Sequence, residues 1–213
     1  MTDARDNMLR KLRLQARGNE PHPPVWESRR RFDDLAARFC ESLNALKGEA
    51  FRAESLDAAL DTLGEVFQSL NAKKVVANDE PPISDLDLPA RWPRIDWHIV
   101  GKSDGDLRAF CVMADVGLSG ADAALAETGS VVISSGPGRS RLATLLPTAH
   151  IALVPLSRLT ADIFTWTAAR QGAMPANTTI ITGPSKSADI EQTTAFGMHG
   201  PKRMIAILYA DQK

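Results

Sequence analysis

The chain has 213 residues, 44% of them hydrophobic and 24% charged, which is ordinary for a folded globular protein and enough for one sizeable core. Twenty-five basic against 26 acidic residues leave a net charge of -1, so no long-range field exists to capture a nucleic-acid backbone. The longest apolar stretches, near 130–134, 151–156 and 204–210, fall short of the ~20 residues that span a bilayer. Asp3 and Asp6, with no continuous apolar run behind them, argue against a secretory signal, and a cytoplasmic location is expected.

In chain order, Met8, Leu9 and Leu12 give a short basic helix an apolar face. The helix breaks at "GNEPHPPVW", a proline-rich linker near 18–27. Two amphipathic helices follow, one carrying Phe32, Leu35, Phe39, Leu43 and Leu46, the other Leu56, Leu60, Leu63, Phe67 and Leu70. Residues 1–50 read as a helical extension, and 51–213 as an α/β domain. "KKVVAN" is a short strand candidate, "PPISDLDLPARWP" a connector or short helix, and "DLRAFCVMADVGLS" mixes strand patterns with turns. Beyond these, "ADAALAE" reads as a helix, "GSVVISS" and "HIALVPL" as strands, and "ADIFTWTAARQG" as a helix ended by Gly172. "TTIITGP" then reads as a strand, "SADIEQTTAFG" as a helix ended by Gly197, and "RMIAILYA" as a strand. Near-continuous apolar strands alternating with helices predict a three-layer α/β/α core around a mostly parallel sheet.

Candidate chemistry falls in four places. In "GPSKSADIEQ", the Gly183-Pro184 turn precedes Ser185 and Ser187, either of which could cap a helix whose free N–H groups would favour an anion. Asp189 and Glu191 already bring negative charge there, so the turn is either self-capped or a ligand site; two residues apart on a helix, they point about 200° apart and make no catalytic pair. In "GMHGPKR", His199 stands before its strand, the edge opposite to where ligands gather in open α/β sheets, and reads as a structural hydrogen-bonding group or a ligand contact.

The stretch "VVISSGPGRSRL" runs from a buried strand into Ser134, Ser135, Gly136, Gly138, Arg139 and Arg141. Arg141 replaces the third glycine of a dinucleotide fingerprint and Pro137 removes a donor, leaving an anion loop with guanidinium forks, or a solvated turn. Glu127, followed by Thr128 and Gly129, sits where a helix end disfavours negative charge; it is either a nucleophile or base, or a cap for the next turn. Four scattered histidines and two isolated cysteines have no metal-ligand spacing, so no metal or cofactor is expected. The four tryptophans read as core or interface residues.

Together "ADAALAETGSVVIS", "LLPTAHIALVP", "ITGPSKSADIE" and "GMHGPKRMIAILY" resemble the LUD-domain family of lactate utilisation proteins. Ser130 and Lys186-Ser187 stand where that family often has threonine and arginine-threonine. The resemblance implies a fold like that of ribose-5-phosphate isomerases, glucosamine-6-phosphate deaminases and coenzyme A transferases (NagB/RpiA/CoA transferase-like). It also implies a cofactor-free part in the oxidation of L-lactate to pyruvate, with iron-sulfur subunits as partners and a small anionic metabolite as a possible ligand. The alternative it leaves open is an enzyme of the CoA transferase, sugar-phosphate isomerase or formyltetrahydrofolate cyclo-ligase type, with Glu127 and the Gly136 to Arg141 loop as the transferase-like parts.

Overall fold

A computed structural model describes residues 2–15, 26, 28–188 and 194–211. The proline-rich linker lies almost wholly outside the described residues, as do Asp189 and Glu191. Helix α1 (Thr2–Gln15) forms as its pattern predicts, with Met8, Leu12 and Leu14 exposed.

The centre is a six-stranded, wholly parallel sheet in the order β1-β12-β7-β4-β2-β3. Its strands are β1 (Glu49–Ala53), β2 (Lys74–Ala77), β3 (Asp96–Ile99), β4 (Val116–Ser119), β7 (Ala149–Pro155) and β12 (Arg203–Tyr209). The central strands are apolar on both faces because both faces are covered. On one face Ala149, Ile151 and Leu153 of β7 and Ile205 and Ile207 of β12 meet Leu60, Leu63 and Phe67 of α3 (Leu56–Ser69), with Leu88 of the short α4 (Leu88–Arg91) in the same cluster. On the other face Ala152, Val154, Ala206 and Leu208 meet Phe39 and Leu43 of α2 (Leu35–Ala45).

That second face carries more than helices. A four-stranded sheet, ordered β8-β5-β6-β9, packs there through Ala124, Val131 and Ile133. It comprises β5 (Ala123–Leu125), β6 (Ser130–Ser134), β8 (Leu159–Thr160) and β9 (Thr178–Ile181). Beside it Val76 is covered by α5 (Leu107–Met113) and α6 (Arg141–Leu145). The three-layer α/β expectation therefore holds, with one outer layer part sheet and part helix.

Four local expectations are corrected. The alanine-rich "ADAALAE" is not a helix: Ala124 and Ala126 face one core cluster while Ala123 and Leu125 face another, a period of two that tertiary packing imposes over alanine's helix propensity. The ends of "SADIEQTTAFG" are extended, as the antiparallel pair β10 (Lys186–Ala188) and β11 (Thr194–Phe196). Their outer ends are held by bonds from Gly197 N to Ser185 O at 2.9 Å and from Ser185 N to Pro201 O at 2.9 Å, which require two neighbouring extended arms. "DLRAFCVM" is α5, whose N-cap Asp106 accepts bonds from the amides of Arg108 and Ala109. Helix α7 (Ile163–Ala169) ends three residues before the glycine expected to stop it. Among the described residues no helix is long and apolar enough to cross a membrane.

Candidate functional site

The carboxyl ends of β2 and β4 open into a polar cluster, the place where parallel sheets present ligand sites. Beyond β2 run Asn78, Asp79 and Glu80. Asn78 is fully buried; its Oδ1 accepts the Ser140 amide at 3.0 Å, and its Nδ2 lies 3.4 Å from Glu80 Oε1. The same Glu80 oxygen accepts the Gly120 amide at 3.0 Å. Burial pushes the Glu80 carboxyl above its ordinary range, against the lowering effect of the Asn78 bond and of the Arg139 charge, while Asp122 adds to the rise.

Arg139 reaches this cluster from the loop after β6. The loop is a tight turn, with Arg139 N bonding to Gly136 O at 2.9 Å and Gly136 N to Arg139 O at 3.2 Å. Gly138 adopts φ +70°, and a Cβ there would stand 3.0 Å from the Asp79 carbonyl oxygen, so glycine is required. The Asp79 amide bonds to Gly138 O at 2.8 Å, seating the loop on the end of β2. Arg139 Nη1 then lies 3.1 Å from Asp122 Oδ1 and 3.8 Å from Glu80 Oε2, and Lys102 pairs with Asp79 at 2.8 Å. Ser140 starts α6 by accepting the Leu142 amide at 3.2 Å. Ser140→Ala is expected to lower stability by about 1 kcal/mol in urea unfolding, leaving the Asn78 bond to the backbone intact.

In front of Arg139 lies a cleft of about 710 Å³ whose wall includes Ser134, Ser135, Asp122, Trp166, Arg158 and Arg170. Arg158 is steadied by a 3.3 Å bond to the Asp122 carbonyl, and Arg170 by one of 3.2 Å to Ala173 O. Three guanidinium groups against one lining carboxylate leave the lining with an excess of positive charge, in planar forks whose geometry matches carboxylate or phosphate oxygens. Arg141, at the first turn of α6, is exposed nearby and does not line the cleft.

The remaining residues singled out in the sequence gather elsewhere. The β5–β6 hairpin has Asp122 before one end and the Glu127 to Gly129 turn at the other, roughly 15 Å apart at strand rise, so Glu127 and the Gly136 to Arg141 loop do not meet. Glu127 forms an ion pair with Arg30 instead, and Ser42 Oγ donates to its carbonyl at 3.1 Å. Gly129 has φ +64°, and a Cβ there would approach Leu43 N to 2.3 Å, so this turn presses on α2. Hydroxyls of Thr128, Ser130 and Thr182 form a chain with 2.7 Å links.

Gly183 abuts Leu46, Pro184 is buried, and Ser185 Oγ accepts the His199 amide at 3.4 Å. Ser187 lies in β10 opposite Ala195, and the His199 side chain is exposed. This second group sits at the amino ends of β7 and β12, where the Lys202 amide bonds to Thr148 O at 2.8 Å. Sequence reasoning missed Asn78, Asp79, Glu80, Asp122, Arg158 and Arg170; the available signal was an "NDE" run directly after the buried strand "KVVA". Among the described residues no three His, Cys, Asp or Glu side chains group as metal ligands.

The fold is that of an α/β protein with a parallel central sheet and an arginine-lined cleft beside it. The LUD domain model matches residues 36–209, and the chain belongs to the LUD-domain family. It is 33% identical over 168 residues to lactate utilization protein C of Halalkalibacterium halodurans, covering 76% of this chain and 72% of that protein. It is 41% identical over 167 residues to lactate utilization protein C of Bacillus subtilis, covering 71% and 69%. Among solved structures, a DUF162 family protein from Deinococcus radiodurans superposes with a TM-score of 0.57 at 18% identity, over 83% of this chain and 96% of that one, which speaks for the fold.

Proposed function

We propose that this protein is a component of L-lactate utilisation, serving the oxidation of L-lactate to pyruvate beside iron-sulfur partner proteins, and that the Arg139 cleft holds the small carboxylate. The reading is carried by the similarity to relatives named lactate utilization protein C across most of both chains. The cleft supports it chemically, since a 2-hydroxy or 2-oxo acid offers the planar carboxylate that an arginine fork takes bidentately. The transferase-like alternative would need Glu127 within reach of the Gly136 to Arg141 loop, and the hairpin holds them apart.

Deleting the gene in its native host is expected to stop growth on L-lactate as sole carbon source, and the wild-type copy to restore it. Unimpaired growth of the deletion strain sinks the lactate role. Arg139→Ala should weaken L-lactate or pyruvate binding about 10- to 100-fold, the value of a charge-assisted hydrogen bond, measured by calorimetry. Partnership is tested by affinity capture from lactate-grown cells with iron and sulfide assayed in the eluate; a solitary, iron-free protein at every salt concentration would remove the partners from the proposal.

A further inference from the structure

Behind the cleft stands Glu80, a 7%-exposed carboxylic acid with no cation of its own. Its Oε1 accepts from the Gly120 amide and the Asn78 amide group, and its Oε2 faces Arg139 at 3.8 Å, beyond hydrogen-bonding distance. Arg139 is closer to Asp122, at 3.1 Å, so one guanidinium serves two carboxylates. The neighbouring Lys102 is engaged by Asp79 at 2.8 Å. The groups acting on Glu80 are thus Asn78 from the end of β2, Gly120 and Asp122 from the loop after β4, and Arg139 from the loop after β6, while the adjacent Asp79 is paired with Lys102 from the loop after β3.

An anion docking on Arg139 would add a third negative charge to a guanidinium already shared by two. The arrangement is relieved by taking a proton on the carboxylate that is most buried and least well paired. Asp122 is the poorer candidate, because it keeps the shorter ion pair and is more exposed, 29% against 9% for the Glu80 side chain. Desolvation of Glu80 already disfavours its charged form, and the added anion acts in the same direction.

We infer that Glu80 is a proton site coupled to the cleft, so that an anion bound at Arg139 is taken up together with one proton from solvent, held on the Glu80 carboxyl. The inference rests on the cleft reading above. The cleft then binds the conjugate acid of its ligand in effect, with the proton and the anion on opposite sides of Arg139, and no bond of the ligand is made or broken. Electrostatic linkage fixes the sign. Glu80 has a higher pKa in the complex than in the free protein, so affinity is constant below the free-protein value and falls tenfold per pH unit between the two values. It levels off again above the value in the complex.

The test is calorimetric titration of the 213-residue protein with L-lactate, pyruvate and inorganic phosphate. Proton uptake and pH dependence are read from the two carboxylates alone, because phosphate takes up protons of its own in this range. Buffers of different ionisation heat report protons taken up per anion, and the pH is stepped upward from about 5. The expected result is uptake approaching one proton in the window where affinity falls. Glu80→Gln, which keeps an acceptor for the Gly120 amide, should abolish both the uptake and the pH dependence while still binding. Uptake that persists in Glu80→Gln, or wild-type binding with no proton uptake at any pH, overturns the coupling and leaves the cleft reading standing. Failure of all three anions to bind the wild type, with its fold verified by circular dichroism, overturns the cleft reading and the coupling together.

Discussion

Replacing Gly117 with alanine is expected to destabilise the protein by about 3 kcal/mol or more, and so to lower Tm by roughly 10 °C, with loss of the proposed anion binding in whatever fraction folds. Gly117 lies mid-strand in β4, where an added Cβ would stand 1.7 Å from the Ala143 carbonyl oxygen and 2.9 Å from its carbon. The obstructing atoms are backbone, so no rotamer change can relieve the contact. Helix α6 would have to lift from the sheet, dragging Ser140 away from Asn78 and with it the turn that aims Arg139. The glycine therefore acts on the site through the helix. Thermal melts check the stability cost, and calorimetry on the folded fraction checks the binding loss. A variant with wild-type Tm would show that α6 is not held at this distance from the strand.

The elements legible in the sequence are those whose own residues decide their environment. Strands β6, β7 and β12 carry near-continuous apolar runs because both faces are covered, and α2 and α3 carry helical spacing because one stripe alone is buried. The edge strands escaped for the converse reason: β1 reads "EAFRA" with Phe51 and Arg52 exposed, and β3 reads "DWHI" with Asp96 exposed, so neither makes an apolar run. The Arg139 loop could be found because a glycine turn and a guanidinium follow directly on a strand. Glu80 is visible in the sequence only as the end of the "NDE" run after a strand; its role is not, since that depends on Gly120 and Arg139, which reach it from separate loops of the fold. The surroundings of Glu127 were not legible, because the alanine-rich sequence predicts a helix end where the chain makes a hairpin turn.

Acidification from about pH 6.5 toward pH 4.5 is expected to cost the wild-type protein stability, at up to roughly 1.4 kcal/mol per pH unit, through one buried imidazole. His150 of β7 is fully buried, and desolvation holds its pKa down to about 3. Its Nδ1 lies 3.1 Å from the Met204 sulfur, which only accepts, so Nδ1 carries the proton and Nε2 accepts from Ser119 Oγ at 2.9 Å. No carboxylate pairs with the ring in these bonds to balance a second proton. The unfolded chain takes up that proton near pH 6.5 and the folded chain near 3, so stability is complete above 6.5 and is lost as pH falls between the two values. Carboxyls held below their ordinary range, Asp34, Asp162 and Asp211, act in the same direction only at still lower pH, below about 4. Glu80 acts oppositely: its raised pKa means the folded state gains protons as pH falls, so it offsets part of the loss. Urea unfolding at stepped pH separates the two residues. His150→Gln should flatten the slope above pH 4.5 whatever its own cost at neutral pH, and Glu80→Gln should steepen it. An unchanged slope in His150→Gln would mean that the ring is hydrated or paired in the folded protein, and that the β4–β7 contact is not the acid-sensitive point of the sheet.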